Sequence, residues 1–371
     1  MNRTVRPGLF LLLLLLTGAA NAQSQKWKFL VYGDTRGTNN TSDQINGTIL
    51  AELARATTNT SPKPEFVLAP GDLVNSGTLS AFQSWTNIMA PVYQAGIAVY
   101  PVLGNHDDDN VPDYLTVFGP TVPDNGPASE LNRTYYIIRS NVLVAAMDNY
   151  VVAHQCNTNW LKTILQTNHY LHAFVMGHEP AFSVNHPDCL GSVPAARDTF
   201  WNILSNAACR VYFCGHDHFY DHMRLNDQDG DASDDVHQMI TGGGGAPFHE
   251  DSLYDGANSI WTPTRVWHDK TNGYVEVEID GPVATLTYYQ RTTPGNYVAT
   301  SDVFTYSLAP VIASSFSNGT VTLTWSGGGR LQYASGLAGQ WTNLANASSP
   351  YVVTDVSGRG PGTFCRVQLR P

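Results

Sequence analysis

Five times in the first 218 residues, a short apolar run ends in glycine followed at once by a side chain able to ligate a cation. Residues 28–32 lead into Gly33-Asp34, and residues 65–69 into Pro70-Gly71-Asp72. Residues 97–103 lead into Gly104-Asn105-His106-Asp107, residues 173–176 into Gly177-His178, and residues 210–214 into Gly215-His216-Asp217-His218. Runs this short, rich in Val, Ile, Phe and Tyr, read as buried strands. Between the first two, Ile45, Ile49, Leu50 and Leu53 fall at helical spacing, predicting a helix over residues 43–56, and a second helical stretch covers about 159–166. Strands alternating with helices predict an α/β fold whose functional loops lie just beyond the strand ends.

Each cluster alone carries little, because a Gly-Asp after a strand is usually a turn and a single histidine is usually structural. Together they place Asp34, Asp72, Asn105, His178, His216 and His218 at strand ends that converge on one crevice. Six nitrogen and oxygen donors suit two first-row metal ions about 3.5–4 Å apart, one carboxylate bridging them, with Fe, Mn and Zn all open.

Composition narrows the partners. The chain carries 20 basic against 31 acidic side chains, a formal charge of −11. Residues 1–22 read as an export signal: Arg3 and Arg6, an apolar run over 10–16, and the small-x-small Ala20-Asn21-Ala22. Losing Arg3 and Arg6 deepens the negative charge by two. A nucleic-acid or anionic-membrane partner is therefore not expected, since no basic stripe is present to replace counterions. No stretch is long and apolar enough to span a bilayer, so an exported, soluble product is expected: periplasmic, extracellular or at the cell surface. Five cysteines are too few for a disulfide scaffold. Cys209 and Cys214 bracket a strand and face opposite sides, so the expected pair is Cys156 with Cys189, leaving Cys365 as a candidate free thiol.

Residues 273–279 and 283–289 predict a hairpin turning at Asp280-Gly281. Around Ala309-Pro310 the character changes to strands and Gly/Ser turns, so the expected organisation is 1–22 signal, 23–308 catalytic domain and 309–371 a small all-β module. Trp325, Tyr333, Trp341 and Tyr351 are read as that module's core. Residues 227–235 miss the EF-hand ligand spacing and read as an acidic hairpin loop. Gly242–Gly245 either cradles an anion or lets the chain pass close to the metal loops.

In order, the five clusters resemble the motifs of the calcineurin-like metallophosphoesterases, over roughly residues 26–291. Gly215-His-Asp-His-Phe-Tyr220 and Ile240-Thr-Gly-Gly-Gly-Gly245 look most like the purple acid phosphatase branch. The resemblance implies a two-sheet β-sandwich flanked by helices. It implies that Asp72 bridges two metals, one also held by Asp34 and His218, the other by Asn105, His178 and His216. His106 matches the family's histidine that orients phosphate or protonates the leaving oxygen, with Asp107 expected to hold and tune it. The implied activity is hydrolysis of small phosphate esters by a metal-bound hydroxide, most of all phosphomonoesters. Phosphodiesters or nucleotides are the first alternative, and a non-catalytic metal-binding or adhesion protein is the second. The β module would serve attachment, for instance to a cell surface.

Two departures stand out. The wider family's Asp-x-His first motif is Asp34-Thr35-Arg36 here, and guanidinium cannot ligate a cation. Arg36 is instead expected to bind substrate phosphate, and His222, four residues past His218, is a further substrate-binding candidate, with His249 beside it. Three residues after the bridging aspartate, Asn75 stands where purple enzymes place a tyrosine, so no purple band is expected.

Overall fold

A computed structural model describes residues 26–38, 43–250 and 259–308. Of the last sixty residues it describes 312–317, 320–325, 330–334, 340–344, 347, 351–353 and 364–368. The expected export signal, residues 327–329 and 335–339, and the side chain of Trp325 lie outside the described residues.

In chain order the strands are β1 (Trp27–Val31), β2 (Phe66–Ala69), β3 (Ala98–Pro101), β4 (Tyr135–Arg139), β5 (Val142–Ala146), β6 (His172–Met176) and β7 (Val211–Cys214). They continue as β8 (Tyr220–Asn226), β9 (Val236–Thr241), β10 (Thr262–Asp269), β11 (Gly273–Asp280), β12 (Val283–Thr293) and β13 (Asn296–Ser307). The helices are α1 (Gly47–Asn59), α2 (Leu79–Ile88), α3 (Ala90–Gln94), α4 (Val111–Phe118), α5 (Thr158–Thr167) and α6 (Pro194–Asn206). One sheet has the order β13-β12-β11-β1-β2-β3 and the other β10-β8-β9-β7-β6-β5-β4.

The central strands are apolar at most positions because both of their faces are covered. Phe29, Val31, Phe66 and Leu68 meet Val144, Phe174, Met176, Val211 and Phe213 in the core between the sheets. Leu30, Tyr32, Val67 and Ala69 point the other way, under Ile49, Leu50, Leu53, Phe82, Trp85 and Tyr114 of the first helices. On the far side, Leu161, Ile164, Leu165, Phe200, Trp201 and Leu204 cover the second sheet. The helix at 43–56 begins four residues later than expected, since Asn46 caps it by accepting from the Ile49 amide at 3.3 Å. In the same way Asn157 caps α5 by accepting from the Trp160 amide at 3.2 Å.

β1, β2 and β3 run parallel, as do β5, β6, β7 and β9. Parallel strands deliver their C-terminal ends to one edge, and these ends carry the five clusters. The predicted hairpin is β11–β12, turning at Gly281 with φ 57°. The acidic stretch joins antiparallel β8 and β9, paired from Tyr220↔Thr241 to Leu225↔Val236.

The C-terminal residues form two three-stranded sheets, one from Ile312–Ser317, Thr320–Trp325 and Tyr351–Val353, the other from Arg330–Ala334, Thr342–Asn343 and Phe364–Gln368. Leu323, Leu331, Ala347 and Cys365 are buried together, with Tyr333 and Tyr351 against them. Trp341 instead lies under the Arg366 guanidinium, 4.3 Å from ring centroid to Cζ. The expected disulfide is corrected: Cys156 and Cys189 are both free thiols. Cys156 accepts from Asn149 Nδ2 at 3.2 Å, and Cys189 caps a short 3-10 turn at Leu190–Ser192.

Candidate metal centre

Glycine before each ligand has a steric reason. Gly71 adopts φ +82°, and a Cβ there would come within 2.6 Å of His178 Nδ1 and 2.7 Å of the Gly104 amide. A Cβ on Gly215 would stand 2.1 Å from Asp34 Oδ2. The bare backbone lets neighbouring loops approach until their side chains share one site. Asp34, Asp72 and His216 themselves have φ of 56°, 49° and 69°, the sparsely populated left-handed region.

The strand-end donors come together. His178 Nδ1 lies 2.7 Å from the Pro70 carbonyl and must donate to it, leaving Nε2 as a lone pair. His216 Nε2 likewise donates to the Asp188 carbonyl at 3.0 Å, leaving Nδ1. These two lone pairs meet Asn105 Oδ1 at 3.1 and 3.0 Å, and His178 Nε2 is 3.4 Å from Asp72 Oδ1. Four acceptors therefore converge with no donor among them, a donor set that fits a first-row cation and little else. His218 repeats the logic: Nδ1 donates to the Pro247 carbonyl at 2.7 Å, and Nε2 faces Asp34 Oδ1 at 3.7 Å.

Electrostatics agree with that fit. Burial pushes His178 down to about 4 and His218 to about 2, so both imidazoles are neutral ligands. Burial, then repulsion from Asp72, holds Asp34 well above the usual carboxylate range. Burial also opposes charge on Asp72, but His178, His106, Arg36 and His218 outweigh it and hold the carboxyl at about 2.

Arg36 does reach the site. It is 5% exposed, its Nε stands 3.2 Å from Asp72 Oδ2, and one terminal nitrogen donates to Asn75 Oδ1 at 3.1 Å. Asn75 thereby anchors the guanidinium, and its main-chain carbonyl takes the His106 Nδ1 proton at 2.8 Å. His106 is half-buried. Its backbone amide donates to Asp72 Oδ1 at 3.1 Å.

Two expectations are corrected here. Asp107 does not hold the His106 ring. Its carboxylate is fully buried and accepts from the amides of Leu73, Val74 and Gly104 at 2.9–3.2 Å, tying the β2 loop to the β3 loop. His222 does not line the crevice. It is 1% exposed, with Nδ1 on Asp302 at 2.9 Å and Nε2 on His237 at 2.7 Å, because residues on β8 alternate and this one faces the interior.

His249, by contrast, stacks on His218 with ring centroids 3.7 Å apart. His186 joins this group without having been singled out in the sequence, 4.5 Å from the His216 ring and 4.4 Å from His249. Asp217 accepts from its Nδ1 at 2.9 Å and raises it above the ordinary imidazole value, burial opposing. The usable signal was Asp217 itself, an acid between two ligands with no ligand role. Asn149 was equally silent: its side-chain oxygen accepts from the His178 and Glu179 amides at 2.8 and 2.9 Å.

The glycine stretch lies tight against the Asp34 loop. The Gly244 amide donates to Gly33 O at 3.0 Å, and Asn46 Nδ2 donates to Gly245 O at 2.7 Å.

Solved structures with this architecture include a purple acid phosphatase from yellow lupin, 15% identical with a TM-score of 0.60, covering 77% of this chain and 54% of that one. They also include PhoD (10%, 0.53, 76% and 70%) and GAP50, the anchor in the inner membrane complex of Plasmodium (14%, 0.53, 76% and 89%). The chain thus spans about half the length of the lupin enzyme. These likenesses establish the fold. No curated protein matches the chain by sequence. The model of the calcineurin-like phosphoesterase family, however, matches residues 28–220, more than half the chain and every one of the six strand-end donors. The chain belongs to the calcineurin-like phosphoesterases, which are metal-dependent phosphoester hydrolases.

Proposed function

We propose that the chain is an exported phosphomonoesterase of acid-phosphatase type, with Asp34, Asp72, Asn105, His178, His216 and His218 as metal ligands and His106 as the proton-transferring residue. The observation that carries this reading is the convergence of four acceptors, Asp72 Oδ1, Asn105 Oδ1, His178 Nε2 and His216 Nδ1, with the His106 amide donating to the first of them. Bound Fe, Mn or Zn supplies Lewis acidity and a nucleophile at neutral pH. The chain's own groups do the rest. Asn75 O holds the His106 Nδ1 proton, which leaves Nε2 as the nitrogen that gains a proton and, from the protonated ring, passes it to the leaving oxygen. Arg36, held against Asp72, keeps positive charge at the crevice floor for the phosphoryl oxygens.

Export rests on residues 1–22, and separation of a catalytic domain at 23–308 from a β module at 309–371 rests on the last large-sheet strand ending at Ser307. Surface attachment is the role proposed for the module. Among the described residues no helix is long and apolar enough to cross a membrane.

Metal-reconstituted protein is to be assayed on p-nitrophenyl phosphate and bis(p-nitrophenyl) phosphate. Faster turnover of the monoester is expected; preference for the diester would move the assignment to a phosphodiesterase. The iron-loaded protein is expected to lack a strong visible band, because Asn75 Oδ1 is engaged by Arg36 and offers no phenolate.

A further inference from the structure

The two halves of the centre are unequally equipped. One position has four acceptors, Asp72 Oδ1, Asn105 Oδ1, His178 Nε2 and His216 Nδ1, and each imidazole is locked in the ligating tautomer by a backbone carbonyl. The other has Asp34 and His218, and would need Asp72 Oδ2 as its third ligand. That oxygen is already paired with a cation, Arg36 Nε at 3.2 Å.

Arg36 is not a side chain that swings aside at no cost. It is 5% exposed, its own amide donates to Asp72 O at 3.1 Å, and its backbone bridges to Ile45. A terminal nitrogen is anchored on Asn75 Oδ1. Even the preceding residue is pinned, since Thr35 Oγ1 donates to Leu73 O at 3.1 Å and accepts from Trp85 Nε1 at 2.8 Å. Asp34 is engaged too, its two oxygens receiving the His216 amide at 3.0 and 3.2 Å. An ion at this position would meet a fixed positive charge in a buried setting, where repulsion between like charges is weakly screened.

We propose that Arg36 stands in for one of the two ions. The chain holds a single tightly bound first-row ion among Asp72, Asn105, His178 and His216, and the guanidinium supplies the second positive charge facing the phosphate. This inference rests on the phosphoesterase reading and sharpens it: the substrate is gripped by one metal and one arginine. A guanidinium offers a fixed fork of donors to phosphate oxygens, a role a second ion would otherwise fill. A second ion is expected to bind at least ~100-fold more weakly than the first.

The test is metal stoichiometry, which needs no turnover. The full chain is stripped with chelator, reloaded with Mn²⁺, freed of excess by gel filtration and measured by elemental analysis and electron paramagnetic resonance. One ion per chain with an uncoupled Mn²⁺ spectrum is expected; two retained ions, or a spin-coupled pair, would overturn the proposal. His218→Ala should keep the single ion, whereas His178→Ala should lose it; loss of the ion in His218→Ala also counts against it. Arg36→His, which replaces the cation with a ligand, should raise the count to two. If that variant does not fold, the wild-type stoichiometry still decides. Two ions together with phosphoester hydrolysis would overturn this inference and leave the phosphoesterase reading intact. Failure to hydrolyse any phosphoester while retaining one ion would do the reverse.

Discussion

The two sheets contribute different chemistry to one edge of the sandwich. From the sheet built on β1, β2 and β3 come oxygen donors, Asp34, Asp72 and Asn105; from the ends of β6 and β7 come nitrogen donors, His178, His216 and His218. Neither sheet holds a complete site. The oxygen side concentrates buried negative charge, so Asp34 is driven up, while Asp72 is held down with the Arg36 guanidinium beside it. The nitrogen side is kept neutral by burial and aimed by backbone carbonyls. A cation between them relieves the first and uses the second, so it also cross-links the sheets. This division of labour explains why the ligands are scattered over nearly two hundred residues yet always follow a strand.

The largest expected effect comes from removing the shared oxygen. Asp72→Ala should lose bound metal and activity together, with turnover down by at least ~10⁴-fold, because both the charge and the bridge between the sheets are gone. Retention of stoichiometric metal would break the comparison outright. His106→Ala sharpens it, since His106 belongs to the oxygen-bearing sheet without being a ligand. A fall in kcat of roughly 10²–10⁴-fold with metal content preserved is the expected signature of lost proton transfer. Metal loss in that variant would show that His106 supports the ligands instead.

Legibility followed the same division. The clusters were visible because each ligand follows a strand and a glycine, and glycine there is a packing requirement, as Gly71 and Gly215 demonstrate. What supports the ligands left no such mark. Asp107 was expected to serve His106 because the two are adjacent, yet a residue's neighbour in sequence faces another way, and its carboxylate clamps three amides instead. The true partner, Asn75 O, is a main-chain atom and has no side-chain signature. His222, four residues past His218, lies on β8 and faces the interior between the sheets. The hairpin β4–β5 and helices α2, α4 and α6 went unremarked, their patterns too short or too mixed to separate from loops.

Metal removal tests the cross-link. For an ion held at a hundred times its Kd, linkage gives about 2.7 kcal/mol of folded-state stabilisation, so chelation should lower the thermal midpoint by roughly 5 °C or more. An unchanged midpoint would mean the sandwich edge is rigid without the ion.

At the opposite end of β6, His172 asks whether a histidine of the nitrogen-bearing sheet behaves differently away from the metal edge. Its Nε2 donates to Gly281 O at 2.9 Å, its Nδ1 is buried with no hydrogen-bond partner among the described residues, and burial depresses the ring to about 4. The folded value lies below the unfolded 6.5. The associated stability is therefore complete above pH 6.5 and is lost as pH falls toward 4, amounting to about 3 kcal/mol. His172→Gln should flatten that limb of a denaturation series while leaving metal content unchanged; an unaltered slope would assign the acid sensitivity elsewhere.

The smallest expected effect on catalysis belongs to His222→Gln. The Tyr220 hydroxyl and His222 Nδ1 both meet the Asp302 carboxylate, at 2.6 and 2.9 Å, joining β8 to β13 across the sandwich. His222 Nε2 continues the chain to His237, whose ring stacks on Phe304 at 3.8 Å. The hydrogen-bonded partners Asp302 and His237 are buried and Phe304 partly so, and the group acts as a polar fastener between the sheets. Glutamine retains one donor and one acceptor but cannot span both neighbours with the same geometry. The expected outcome is kcat/KM within about twofold of the parent and a loss of about 1–3 kcal/mol in stability, the range for a buried polar group left unsatisfied. A fall in kcat/KM at unchanged stability would return His222 to the crevice. It would also show that the oxygen-bearing and nitrogen-bearing sheets cooperate in binding substrate well beyond the ligand edge.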